Sequence, residues 1–201
     1  MIIVISPENI LINEAECVNK MFQDGLELFH IRKPFITEVE MIVFLDQIDA
    51  SFRHRLVMHG YFDLAAEYGI SRIHFREEDR INGLHSWRAK GSVISTSVHD
   101  IICFNALEPN WEYAFFSPFF SSISKPGYGE HSKVLERIGL RNNHDVKLIA
   151  LGGIYEENME IALRSGAEGL ALLGGIWMNE QPVKAFNQCR NRMLEYNYQN
   201  R

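Results

Sequence analysis

Titratable side chains cluster at the ends of short apolar runs. "HIRKP" carries His30, Arg32 and Lys33, "HGYFD" carries His59, "IHFREED" carries His74, Arg76 and Asp79, and "STSVHD" carries Ser97 and His99. A Ser/Gly-rich stretch, "SPFFSSISKPGYG", adds Ser122, Ser124 and Lys125. Basic residues mixed with carboxylates at one rim suit a small, negatively charged substrate. Leu-Gly-Gly-Ile occurs twice, at 151–154 and 173–176, each time after an apolar run. Adjacent glycines weaken a strand, so bare backbone is needed at both places. Gly152, Gly153, Gly174 and Gly175 would let a phosphate reach backbone N–H groups with no Cβ in the way. The histidines admit a second chemistry. Imidazoles of His30, His59 and His74 converging at one mouth could bind zinc with an open fourth position.

Eight apolar runs must position these groups: Ile2–Ser6, Leu26–Ile31, Arg55–His59, Ser71–Phe75, Ser92–Thr96, Glu112–Ser117, Lys147–Leu151 and Gly169–Leu173. Near-continuous hydrophobicity over about five residues marks strands covered on both faces. Between them lie segments of helical period. Ala15, Val18, Met21 and Phe22 share a face that Gly25 closes, and Thr37 with Glu40 forms a capping box. Clear helices are also expected in "EENMEIALRSGA" and "EQPVKAFNQCRNRMLEY". The alternation predicts an α/β fold, a (β/α)8 TIM barrel spanning residues 1–201 as one domain, with an open doubly wound sheet as the rival. In such barrels phosphate is often held after the seventh and eighth strands, where both Gly-Gly pairs fall. By alternation His30 and Arg32 share one face of their strand, and Lys33 falls on the other.

Bulk properties narrow the classes. The 201 residues are 46% hydrophobic and 23% charged, with a net charge of −6, so no general attraction to nucleic acid or an anionic membrane is expected. Cys17, Cys103 and Cys189 lie far apart, which favours reduced thiols and a cytoplasmic location. No run approaches the roughly 20 apolar residues of a membrane span, and "MIIVISPENI" reads as a first strand, not a leader. Glu77 is expected in a solvated loop, and His85, His131 and His144 are expected at the surface without a role.

Seven motifs together resemble the thiamine phosphate synthase family, which includes related thiazole tautomerases. "HIRKP", "HGYFDLA", "SRIHFREED", "STSVH", "SPFFSSISK", "LGGI" and "GAEG" stand where that family has its strand-end motifs, in the same order across almost the whole chain. The resemblance implies a transferase that joins hydroxymethylpyrimidine diphosphate to thiazole phosphate, giving thiamine phosphate and diphosphate, with Mg²⁺. It implies Arg32 and Lys125 as the catalytic cations on diphosphate and Asp79 as a magnesium ligand. Ser122 and Ser124 would contact phosphate, Ser97 the pyrimidine, and Gly152, Gly153, Gly174 and Gly175 the thiazole phosphate. His30, Lys33 and His59 would also face substrate, and the assembly leaves room for a homo-oligomer.

The sequence departs from the pattern at named positions. His30 replaces a Gln, Lys33-Pro34 a Glu-Lys pair, His59-Gly60 an Asn-Asp pair, and Arg76 a Gly, while Gly174 replaces a frequent Ser. A carboxylate that binds magnesium in the family is therefore absent. The alternative is a thiazole tautomerase-type isomerase or a member that binds phosphate ligands without turnover. The histidine that some tautomerases carry after the sixth strand is Pro118 here. Retention of Arg32, Asp79 and Lys125 puts synthase chemistry first.

Overall fold

The computed structural model describes residues 1–88, 91–121, 129 and 132–200. Eight parallel strands close into a barrel in chain order, and β1 pairs with both β2 and β8. They are β1 (Ile2–Ile5), β2 (Leu28–Ile31), β3 (Leu56–Met58), β4 (Arg72–Phe75), β5 (Val93–Val98), β6 (Trp111–Phe116), β7 (Lys147–Leu151) and β8 (Gly169–Leu172). All eight lie on the apolar runs expected of them. The helices described are α1 (Glu14–Gln23), α2 (Glu38–Asp46), α3 (Phe62–Glu67), α4 (Glu77–Ile81), α5 (His85–Arg88), α6 (Ile101–Asn105), α7 (Val134–Arg137), α8 (Met159–Arg164), α9 (Gly174–Trp177) and α10 (Pro182–Gln199). None is long and apolar enough to cross a membrane. Cys17, Cys103 and Cys189 are free thiols.

Alternation along the strands creates two cores. Phe29 and Ile31 of β2 point outward into the layer between barrel and helices, with Val4, Phe75, Phe116 and Leu148. Leu28 points inward with Ile3, Ile5, Val57, Tyr113, Phe115, Ile149 and Ala171. The interior is apolar where β6, β7, β8 and β1 meet. On the β2 to β5 side it is polar, holding the buried groups His30, His74 and Ser95. Thr37 caps α2 as its sequence predicts, its hydroxyl accepting from the Glu40 N–H while the Glu40 carboxylate accepts from the Thr37 N–H. His85 is half-buried, not a surface residue; its ring packs 4.9 Å from that of Trp111.

Candidate active site at the barrel mouth

A cavity of 770 Å³ opens at the C-terminal ends of the strands. That is room for a pair of small rings with their phosphates. One wall is made by both Gly-Gly pairs. Gly152 and Gly153 follow β7 with φ of 108° and 62°, and a Cβ on Gly153 would stand 2.2 Å from the Ser121 carbonyl oxygen. A Cβ on Gly175 would stand 2.5 Å from the Ile154 carbonyl oxygen. The bare backbone is thus needed first so that the loops after β6, β7 and β8 can press together. The four carbonyls are held by protein donors: Phe120 N–H on Gly152, Asn158 Nδ2 on Gly153, Met178 N–H on Gly174 and Asn179 Nδ2 on Gly175. The N–H groups of Gly174 and Gly175 begin α9, where no earlier helical carbonyl can accept them.

The opposite wall carries charge. Arg32 lines the cavity half-buried and donates to the Glu8 carboxylate at 2.6 Å. Arg76 also lines it and grips Asp79 with two hydrogen bonds, 2.9 Å from Nε to Oδ2 and 3.0 Å from Nη2 to Oδ1. The sequence reads this stretch as a loop. The structure makes it the first turn of α4, with the Asp79 carboxylate also accepting from the Arg76 N–H. The guanidinium beside it holds the Asp79 carboxyl below the usual range. Glu77 lines the cavity too and pairs with Arg80.

Lys33 is not at the mouth, which corrects the expectation that it faces substrate. Its ammonium is fully buried and donates to the carbonyls of Pro7 and Asn9 and to the Glu14 carboxylate at 2.9 Å. One residue beyond Arg32 along the chain, it points to the other face and ties the β1–α1 loop down. Burial pushes the Glu14 carboxyl up and the Lys33 ammonium down, each opposed by the bond to the other.

Beneath the cavity the three histidines do converge. His30 Nδ1 and His59 Nε2 share a hydrogen bond of 2.9 Å, and His30 Nε2 contacts Tyr113 Oη at 2.7 Å. The rings of His59 and His74 stack at 4.3 Å. His74 is held between two hydroxyls, with Nδ1 on Ser95 Oγ and Nε2 on Ser97 Oγ, both at 2.9 Å. His59, His74 and Ser97 line the cavity, whereas His30 is completely buried below it. Burial is the main cause that lowers all three pKa values, that of His74 to about 3, so the rings are neutral near pH 7. His99 lines the rim with Nδ1 on the Ser117 carbonyl at 2.9 Å. Tyr113, Ser95, Phe115 and Glu8 complete the site and were not legible as site residues. Alternation in "WEYAFF" puts Tyr113 and Phe115 on one face, but which face is inward and what Tyr113 touches are not written there. The expectations for Ser122, Ser124, Lys125 and His131 fall outside the described residues.

A family model described as thiamine monophosphate synthase matches residues 1–176. The chain belongs to this family. A thiamine-phosphate synthase of Leptospira biflexa is 25% identical over 187 residues, covering 88% of this chain and 89% of that protein. One from Nitrosococcus oceani is 28% identical over 160 residues, covering 76% and 71%. Among solved structures, thiamine phosphate pyrophosphorylase from Pyrococcus furiosus superposes with a TM-score of 0.77 at 19% identity, covering 96% of this chain and 95% of that one. At that identity the likeness speaks for the barrel alone.

Membership implies magnesium, and the donors described here do not fit it. Mg²⁺ wants carboxylate and water oxygens in an octahedron. Gly60 stands where the resemblance puts one carboxylate, and both oxygens of Asp79 are engaged by Arg76. Among the described residues the only group of three or more potential ligands is His30, His59 and His74. Imidazole is a poor partner for magnesium.

Proposed function

We propose that the chain is a thiamine-phosphate synthase. It joins hydroxymethylpyrimidine diphosphate to the ring nitrogen of thiazole phosphate; the C–O bond to diphosphate breaks and a C–N bond forms. The observation that carries this reading is one cavity lined by both Gly-Gly pairs at one end and by Arg32 and Arg76 at the other. Two anionic groups are thereby given separate ends of one space.

At the glycine end the amides after β7 and β8 take the thiazole phosphate. Ile5, Leu151, Ala171 and Leu173 line the adjoining wall and suit the thiazole ring. At the other end Arg32 and Arg76, each oriented by a carboxylate, meet the diphosphate. Fixed guanidinium charge stabilises the oxyanion that develops as the C–O bond lengthens. Phe115, Ser97 and His99 stand between the two ends and are placed to take the pyrimidine. Lys125, Ser122 and Ser124 join the diphosphate side on the sequence pattern. The apolar wall keeps water from a cationic pyrimidine long enough for the thiazole nitrogen to trap it.

The test is product formation. The purified protein is incubated with both substrates, with Mg²⁺ and in parallel with Zn²⁺, and thiamine phosphate is read as fluorescent thiochrome. Product with dependence on both substrates is expected. No product under either metal, with a working synthase alongside, would overturn the reading.

A further inference from the structure

We infer that His30, His59 and His74 form a binding site for a borderline divalent transition metal of the zinc and cobalt type, its fourth position facing the mouth cavity. This goes beyond the synthase reading and stands without it. One nitrogen from each ring lies within 4.8 Å of the other two, and the His30–His59 pair is at 2.9 Å. Tetrahedral ligands with Zn–N near 2.0–2.1 Å place their nitrogens about 3.3 Å apart. The close pair must open slightly and the longer separations must contract. His59, half-buried at the end of β3, has the freedom to do so.

The surroundings are those that metal-binding histidines need. Such a ligand donates its second ring N–H to a fixed acceptor, which sets tautomer and orientation. His30 has Tyr113 Oη at 2.7 Å from Nε2, leaving the Nδ1 lone pair turned toward His59. His74 has Ser95 Oγ at 2.9 Å from Nδ1, leaving Nε2 toward the cavity. There Nε2 now meets Ser97 Oγ, which would pass to a water or ligand on the metal. With Phe115 against two of the rings, at 4.8 Å from His30 and 4.7 Å from His74, the ligands are held on one side by an apolar wall.

Charge does not forbid the ion. The cations that act on these rings, Arg32, Arg72 and Arg76, are each paired with a carboxylate, Glu8, Glu112 and Asp79. A dication on neutral imidazoles would add net positive charge beside the end proposed for diphosphate. Three nitrogen donors also select against magnesium, so the departure at 59–60 replaces one kind of cation site by another.

The test uses metal binding, without substrate. Full-length protein free of a His tag is stripped with a chelator and titrated with Co²⁺ and with Zn²⁺ by calorimetry, with cobalt ligand-field bands recorded. One ion per chain with tetrahedral bands is expected. His59→Ala should weaken binding on the order of 100-fold, and Tyr113→Phe on the order of 10-fold through loss of the ring's anchor. Circular dichroism confirms that both variants fold, and His144→Ala at the exposed surface should bind as wild type. No saturable ion, octahedral bands only, or equal binding by His59→Ala would overturn the site. Thiamine phosphate formation without metal binding would do the same while leaving the synthase reading intact. The reverse result would sink that reading alone.

Discussion

Lys33 and Arg32 are neighbours in sequence with opposite fates. Arg32 points into the mouth and its bond to Glu8 is partly solvated, so that pair contributes about 0–1 kcal/mol to stability. Arg32→Ala should therefore leave urea unfolding nearly unchanged and lower kcat/KM for synthase turnover by about 100–1000-fold, the scale for removing one transition-state donor. Wild-type turnover would remove Arg32 from the diphosphate end. Lys33 behaves the other way. Its ammonium is fully buried with Glu14, so Lys33→Met strands a carboxylate in the core and should cost about 3–5 kcal/mol. The double variant Lys33→Met with Glu14→Leu should recover most of that loss, because two apolar groups leave no buried charge behind. If the single variant unfolds at the wild-type urea concentration while substrate affinity falls, Lys33 belongs at the mouth after all.

Among the elements, the glycine loops carry packing and binding in the same atoms. Gly153 has φ of 62° and no room for a Cβ beside the Ser121 carbonyl. Gly153→Ala should cost on the order of 2 kcal/mol and also weaken thiazole phosphate binding. Gly139→Ala, where a Cβ meets nothing within 4 Å, should stay within about 0.5 kcal/mol of wild type. A Gly153→Ala protein with wild-type melting and poor binding would show that the bare backbone serves the ligand alone. These loops were legible in the sequence as positions, because doubled glycines after apolar runs stand out against any background. So were the strands: β7 spans Lys147–Leu151 as read, and the others shift at their ends by a residue or two. The short helices were not. α4 is built from "EEDRI", which has charge but no apolar period, and α9 begins on two glycines. Convergence of the three histidines followed from alternation plus strand order. The Tyr113 anchor did not, since it depends on how far β6 is staggered across the barrel from β2.

The molecule as a whole keeps polar rings and the hydroxyls that hold them on one side of a barrel whose other side is apolar, and its stability should report that in acid. His30 and His74 are buried and neutral, with pKa values well below those of an unfolded chain, about 3 for His74. Unfolded histidine takes a proton near pH 6.5. Above that pH both states are neutral and the full stability is present. As pH falls below about 6.5 the unfolded chain binds protons that the folded barrel refuses, so stability declines toward the folded pKa values. Each such histidine contributes a slope of about 1.4 kcal/mol per pH unit. Carboxylates with lowered pKa, Asp24, Asp49 and Asp79, lose their contribution only below about pH 4. From pH 6 to 4.5 the buried histidines lower stability toward acid, opposed by Glu14, whose raised carboxyl takes its proton earlier in the folded chain. Urea unfolding of chelator-treated protein across that interval should steepen toward acid with the slope of two or more protons. His74→Gln, which keeps hydrogen bonds to Ser95 and Ser97 without a titrating ring, should flatten it by about one. A level profile in wild type would mean that the barrel admits charge or water to its centre, and that the neutral histidine stack is not what closes it.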